Sequence, residues 1–308
     1  MSLTYPYLPP DRQFKFVPMT HPHMIAAEQA RRECSGDSLW PIGVVLVRDG
    51  QILARAGNGF NRGSSTKHIC PRVVLDVLSG TRYDLCSLHD APGHAEPMLI
   101  AAAKKEHIDP TGCDVYMFGH WWCCEPCWKI LIDAGVRDVY MVEDAHERFS
   151  RDRVYAKTLA SSVRSVFFSH AFDQTNLTEM KQLIGALDAM CTELGCSTVV
   201  PFRDGPRTNS PSFTRRGLGG GLVTSLYEWS LEKIPACDVL IAEVSSPSFG
   251  VGGEIVLAEK LTKPVILLSK KGIKVSEFVT GNPAVVYHVE YESIDEAVKQ
   301  VRNVMRQM

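Results

Sequence analysis

Nothing in this 308-residue sequence approaches the ~18 consecutive apolar residues of a membrane helix. The N-terminus, Met1 to Phe16, carries prolines and charges where a signal peptide would carry an apolar stretch. Positive charge is not in excess either: 33 Lys and Arg stand against 35 Asp and Glu, for a net charge of −2. That leaves no electrostatic footprint for a nucleic-acid partner. No internal repeat or low-complexity tract is present. Ten cysteines, several at metal-ligand spacing and two of them adjacent, read as reduced thiols instead of a disulfide framework. These absences together predict a cytoplasmic protein. Its length exceeds what one core normally supports, and two domains of ~150 residues are expected.

The richest signal is His94-Ala95-Glu96, followed by Cys124-Glu125-Pro126-Cys127. One imidazole and two thiolates can hold a zinc ion and leave a fourth position open to water, whose pKa then falls towards neutrality. Glu96, two residues after the first ligand, is placed to take that water's proton and pass it on. The run Pro97 to Lys104 reads as a buried helix with Pro near its start. Asp114 to Phe118 reads as a strand leading to the cysteines, Lys129 to Ala134 as a helix stopped by Gly135, and Val136 to Val142 as the next strand. A lone Cys-x-x-Cys also occurs in structural zinc sites and redox motifs. A structural site would normally show a fourth protein ligand and no carboxylate committed to the first ligand's helix.

These motifs resemble the cytidine and deoxycytidylate deaminase superfamily over about residues 20 to 150, and most closely the deoxycytidylate deaminases. The resemblance implies zinc on His94, Cys124 and Cys127, and Glu96 as proton carrier. It also implies that the His-x-Glu and Cys-x-x-Cys pairs each open a helix. Gly57-Asn58-Gly59-Phe60-Asn61 is similar to the family's Gly-Tyr-Asn turn, and by that match Asn61 contacts sugar or base. One departure is Cys123, where the family usually has Pro, beside Trp121 and Trp122 in the expected pocket wall. His68, Cys70, Cys86 and His89 could hold a second zinc, as in some relatives, although their spacing matches no tight chelating motif.

The charge-dense stretch from Glu143 to Ser162 suggests the domain boundary, with domains at 1–155 and 163–308. Beyond it, strands and helices alternate. Val166 to Ser169 is a strand, and Leu177 to Leu194 a helix ending at Gly195. Asp238 to Val244 and Pro264 to Leu268 are the continuous apolar runs of strands covered on both faces. Gly250-Val251-Gly252-Gly253-Glu254 leads into a helix over 255–261, which places a glycine loop at a strand's carboxyl end, where ligands of such sheets bind. The spacing matches neither a dinucleotide fingerprint nor a phosphate-binding loop. The fold class expected is α/β: a three-layer α/β/α domain followed by a Rossmann-like, flavodoxin-like parallel sheet.

The segment Ala242 to Glu254 is similar to the signature of 2'-deoxynucleoside 5'-phosphate N-hydrolases, relatives of nucleoside 2-deoxyribosyltransferases, over about residues 163 to 300. By this resemblance Glu254 is the catalytic carboxylate that forms a glycosyl-enzyme intermediate. Ser248 and Gly250 contact phosphate, as does Gly252 in the same loop. Ser276 is lent to a neighbouring subunit, which implies a homodimer. Ser230 stands where relatives carry a catalytic aspartate, and the Ser169 to Asp173 loop lacks their Gly-Ser and Arg. His170, Asp173 or Glu228 could replace the missing group. Arg203, Arg207, Arg215 and Arg216 flank a Pro/Gly/Ser-rich segment that would be solvated or serve as a lid.

Three functions remain open at this point. The leading one is a bifunctional enzyme that deaminates dCMP or a 5-substituted cytosine nucleotide and then hydrolyses the N-glycosidic bond of the product. In the second, the C-terminal domain senses nucleotides for a deaminase without cleaving them, which Ser230 favours. The third, a polynucleotide-editing deaminase, is disfavoured by the charge.

Overall fold

The computed structural model describes residues 7–59, 68–78, 80–86, 91–171, 177–206 and 226–308. The chain divides into two compact units, Met1–Ala160 with Gln307 and Ser161–Arg306 with Met308, each built on its own sheet.

The first unit contains β1 (Phe14–Val17), α1 (Pro22–Cys34), β2 (Gly43–Arg48), β3 (Gln51–Gly57), α2 (Pro71–Val74), α3 (Ala95–Lys105), β4 (Asp114–Phe118), α4 (Glu125–Asp133), β5 (Asp138–Val142), α5 (Ala145–Arg148) and α6 (Arg151–Thr158). Its sheet runs β1-β5-β4-β2-β3, with β2 antiparallel to both β3 and β4 and the remaining pairs parallel. Asp49 and Gly50, at φ of 50° and 75°, make the tight β2–β3 turn, because two successive left-handed residues match the twist of the strands they join. Helix α1 packs on β2, β3 and β4, while α3 packs on β2, β3 and α4, giving three layers. A Cβ on Gly43 would come within 2.1 Å of the Arg31 amide nitrogen, so only glycine lets α1 sit this close to the sheet. All five residues of β4 are buried, packed with Leu46, Leu99, Trp128 and Leu131 in one core.

The second unit contains β6 (Ser165–Ser169), α7 (Leu177–Glu193), β7 (Ser197–Val199), α8 (Pro201–Asp204), α9 (Leu226–Ala236), β8 (Val239–Glu243), α10 (Phe249–Lys260), β9 (Val265–Lys270), α11 (Glu277–Thr280), β10 (Val285–Tyr291) and α12 (Ile294–Met305). The sheet is wholly parallel, in the order β7-β6-β8-β9-β10. This is the doubly wound, flavodoxin-like order, whose direction of winding reverses between its first and third strands, here β6 and β8. Helices α7 and α12 pack together, as do α9 and α10. Continuous burial along β8, from Val239 to Glu243, follows from cover on both faces.

One expectation needs correction. The glycines at 250, 252 and 253 form no loop before a helix over 255–261; α10 already begins at Phe249, because the Ser248 side chain accepts a hydrogen bond from the Val251 amide and caps it. The charged stretch after Glu143 carries two short helices, α5 and α6, within the first unit.

Two glycines should respond oppositely to alanine. At Gly59 φ is +85° and a Cβ would lie 2.9 Å from the Asp37 amide, so Gly59→Ala should cost more than about 1 kcal/mol. At Gly252, in a helix with nothing within 4 Å of an added Cβ, alanine should stabilise by about 0.5–1 kcal/mol. Urea unfolding of the full chain reads both; an unchanged midpoint for Gly59→Ala would contradict the strained turn.

Candidate active sites

In the first unit the two motifs meet through helix starts. His94 is the N-cap residue of α3 and Cys124 that of α4. Buried strands deliver the chain to these positions, and the unpaired amides of both helix ends favour negative charge between them. His94 Nδ1 lies 3.3 Å from Cys127 Sγ and 3.4 Å from Cys124 Sγ, and the three ligand atoms all fall within 4.8 Å of one another. A tetrahedral zinc ion with bonds of ~2.0–2.3 Å separates an imidazole nitrogen from a thiolate by about 3.6 Å, so this donor set fits the metal in chemistry and spacing. A hydrogen bond from Cys127 and the proximity of His94 bring the Cys124 thiol down to about 5, despite burial; burial pushes Cys127 up.

Glu96 is buried beside these ligands, and burial raises its pKa, opposed by His94. The thiol of Cys123 hydrogen-bonds to it. The departure from the family's Pro at this position therefore adds a donor to the expected proton carrier. A cavity of roughly 110 Å³ opens over His94, Glu96 and Cys124, with Trp40, Tyr83, Trp121 and Trp122 among its walls. Asn61 lies outside the described residues. Asn58 lines the cavity, a residue that the motif match passed over. Its Oδ1 accepts from the Ile42 amide and Ser35, and its Nδ2 donates to Asp37 and to the Trp40 carbonyl, which anchors the wall. The signal was available in the same Gly-Asn-Gly stretch: an amide between glycines can serve backbone groups on both sides.

His68, Cys70 and Cys86 also converge, their ligand atoms lying within 4.8 Å of one another and His68 Nε2 3.0 Å from Cys86 Sγ. His89 lies outside the described residues.

In the second unit Glu254 sits on α10 beside β6, near the point where the winding of the sheet reverses. Ser169, the last residue of β6, donates to Glu254 Oε2 at 2.5 Å, and Ser230 of α9 donates to Oε1 at 2.8 Å. Burial raises the Glu254 pKa and both hydroxyls pull it down. Ser169 was read as the end of a strand and the start of the loop after it; its contact with Glu254 appears once β6 and α10 are neighbours. Ser248 caps α10, and a Cβ on Gly252 or Gly253 would meet nothing within 4 Å, so packing does not demand glycine at either position. Ser276 is exposed at the start of α11 and makes no capping bond with its own side chain.

Of the groups considered for the missing aspartate, His170 is buried with its pKa lowered by burial, Glu228 lies on α9, and Asp173 is outside the described residues. Arg203 pairs with Asp188 and Asp204. Arg207, Arg215 and Arg216 lie outside the described residues.

A three-donor metal centre on an α/β/α unit and a hydroxyl-held carboxylate on a doubly wound unit define a two-unit α/β protein. Residues 19–143 match the cytidine and deoxycytidylate deaminase zinc-binding region, and the cofactor is zinc. A protein of Syntrophotalea carbinolica named as a 2'-deoxynucleoside 5'-phosphate N-hydrolase is 32% identical over 133 residues, 42% of this chain and 87% of that protein. One of the same name from Methanosarcina mazei is 38% identical over 76 residues, 25% of this chain and 47% of that protein. Two solved structures are similar. The apo dCMP deaminase of cyanophage S-TIM5 is 24% identical, covering 41% of this chain and 86% of its own, with a TM-score of 0.28. The CMP N-glycosidase of Clostridium botulinum is 18% identical, covering 45% and 97%, with a TM-score of 0.33. The chain belongs to the 2'-deoxynucleoside 5'-phosphate N-hydrolase family. No helix among the described residues is long and apolar enough to cross a membrane.

The Glu254 environment yields a signed pH effect. A carboxylate acting as its anion loses activity as pH falls through its pKa, and each hydroxyl donor lowers that pKa. Ser230→Ala should therefore shift the acid limb of any Glu254-dependent reaction to higher pH, read as kcat/KM against pH. An unmoved limb would separate Ser230 from the carboxylate's ionisation.

Proposed function

We propose that this chain is a bifunctional pyrimidine nucleotide enzyme. Its first unit deaminates dCMP or a 5-substituted (d)CMP, and its second hydrolyses the N-glycosidic bond of the uracil-type product. The observation that carries the reading is the convergence of His94, Cys124 and Cys127 at two helix starts with a buried carboxylate, Glu96, beside them. Zinc held by those three residues would polarise a water molecule enough to make it a nucleophile near neutral pH. Glu96 takes one proton from the water and delivers it to the ring nitrogen, then carries the remaining hydroxyl proton to the amine, which leaves as ammonia while the water's oxygen stays on the ring as a carbonyl. The aromatic cavity walls exclude bulk water and stack the base.

In the second unit, Glu254 attacks the anomeric carbon as the glycosidic C–N bond breaks. Water then hydrolyses the glycosyl ester, releasing (deoxy)ribose 5-phosphate and regenerating the carboxylate. Ser169 and Ser230 orient it for that attack. The start of α10, with Ser248, Gly250 and Gly252, favours the phosphate. Among the described residues both hydrogen-bond partners of Glu254 are hydroxyls, which supports deamination before cleavage: a uracil-type ring leaves as a more stable anion than cytosine and needs less help from an acid. Ser276, exposed on α11, would serve the phosphate site of a second copy in a homodimer. The convergence of His68, Cys70 and Cys86 supports a second zinc site.

Incubating the zinc-loaded chain separately with dCMP, CMP, 5-hydroxymethyl-dCMP and their uracil counterparts, with mass detection of products, tests the reading. Deaminated nucleotide plus free uracil-type base is expected; deaminated nucleotide without base would make the second unit a nucleotide sensor. Glu96→Ala should retain zinc and lose ammonia release. Glu254→Ala should lose base release and keep deamination; a variant that still releases base removes Glu254 from the chemistry. Metal analysis should find two zinc ions per chain, falling to one in Cys86→Ser; one ion in the parent chain would reject the second site.

A further inference from the structure

The walls of the zinc-site cavity are unequal in charge. Among the described lining residues the one carboxylate is Glu96, at the metal, whereas two guanidiniums, Arg72 and Arg151, belong to the same cavity. Each is held over an aromatic face. Arg72 lies 4.3 Å from the Tyr83 ring, and Arg151 lies 5.4 Å from the Tyr155 ring. Tyr83 in turn packs edge-on against His94 at 5.3 Å, and Tyr155 packs edge-on against Trp40 at 5.5 Å. The Arg72 guanidinium is thus tied through one ring to a zinc ligand, within 10 Å of its imidazole by those two separations. That span is comparable with a nucleotide's reach from exocyclic amine to 5'-phosphate.

Neither arginine is consumed by the fold. Arg72 donates from Nε to the Thr81 carbonyl at 3.1 Å, and among the described residues its terminal nitrogens have no acceptor. Arg151 donates one terminal nitrogen to Asp76 at 3.0 Å, a pair whose side chains are 26% and 50% exposed. Such a half-exposed pair contributes little and can yield to a phosphate dianion, which accepts a guanidinium's parallel N–H groups more strongly. His120, also in the wall, accepts the Trp121 and Trp122 amides at Nδ1, and burial pushes its pKa down to about 3, so it adds no competing cation.

We propose that Arg72 and Arg151 form the 5'-phosphate subsite of the deaminase cavity, so that this unit selects nucleoside monophosphates over nucleosides. The proposal rests on the deaminase reading above and adds the group that discriminates. Aromatic walls take the base, the metal end takes the amine, and the two stacked guanidiniums take the phosphate.

The test compares dCMP with deoxycytidine in the zinc-loaded full chain and in Arg72→Gln, Arg72→Lys and Arg151→Gln. Ammonia release is followed in one arm and quenching of cavity tryptophan fluorescence in the other. The parent chain should prefer dCMP. Each Gln variant should lose about 10- to 100-fold of that preference, the range for a charged hydrogen bond, mainly through KM. The readout is the ratio of kcat/KM for dCMP over deoxycytidine within each variant, in which any loss common to both substrates cancels. Arg72→Lys should recover part of the loss, because it keeps charge but not the fork. Equal use of dCMP and deoxycytidine by the parent, or full preference in the Gln variants, overturns the subsite and leaves the deaminase reading standing. Deamination of neither substrate, with no quenching by dCMP, overturns both.

Discussion

Gathering one imidazole and two thiols within 4.8 Å inside a buried wall is the constraint on which the first unit depends. Two negative thiolates cannot be desolvated side by side without compensation, and the opposite shifts of Cys124 and Cys127 reflect that conflict. A divalent cation and two helix N-termini resolve it. The local architecture serves this placement: β4 is buried throughout, α3 and α4 pack against each other, and each begins one residue after a ligand. Metal binding is accordingly coupled to the stability of this unit.

The second unit meets a related problem with hydroxyl groups. A half-buried carboxylate next to a parallel sheet is costly as an anion, and Ser169 and Ser230 offset that cost by donating to its two oxygens. The hydroxyls keep Glu254 oriented and lower its pKa against burial, the state in which a nucleophile is useful. An aspartate at position 230 would have shared or donated a proton; a serine cannot donate one on the same scale. On the proposed hydrolase reading, the difference moves the demand from an enzyme acid to the leaving base, a demand that a deaminated ring meets better.

Much of this was readable in the sequence, because the ligands are local motifs and the central strands are uninterrupted apolar runs. Residues 114–118 and 239–243 emerge as strands almost to the residue. Other features were hidden for physical reasons. Three glycines argued for a loop, yet Ser248 caps the helix before them and overrides their low propensity. The partnership of Ser169 with Glu254 spans 85 residues and exists only after β6 and β8 pair in parallel. Asn58 and Asn61 look equivalent in a short glycine-rich match. Burial and four hydrogen-bond partners, which no motif encodes, make Asn58 a wall residue. Arg72 and Arg151 belong to no motif, since stacking on Tyr83 and Tyr155 is a property of the fold.

The most direct measurement of the two-step account is the fate of solvent oxygen. When the zinc-loaded chain converts dCMP in 18O-enriched water and the products are weighed at early times, the account predicts one heavy oxygen on the released base and one on the sugar phosphate. The same experiment begun from dUMP should label the sugar phosphate alone. Release of unlabelled cytosine, or heavy deaminated nucleotide with no free base from either substrate, would contradict consecutive action by the two units.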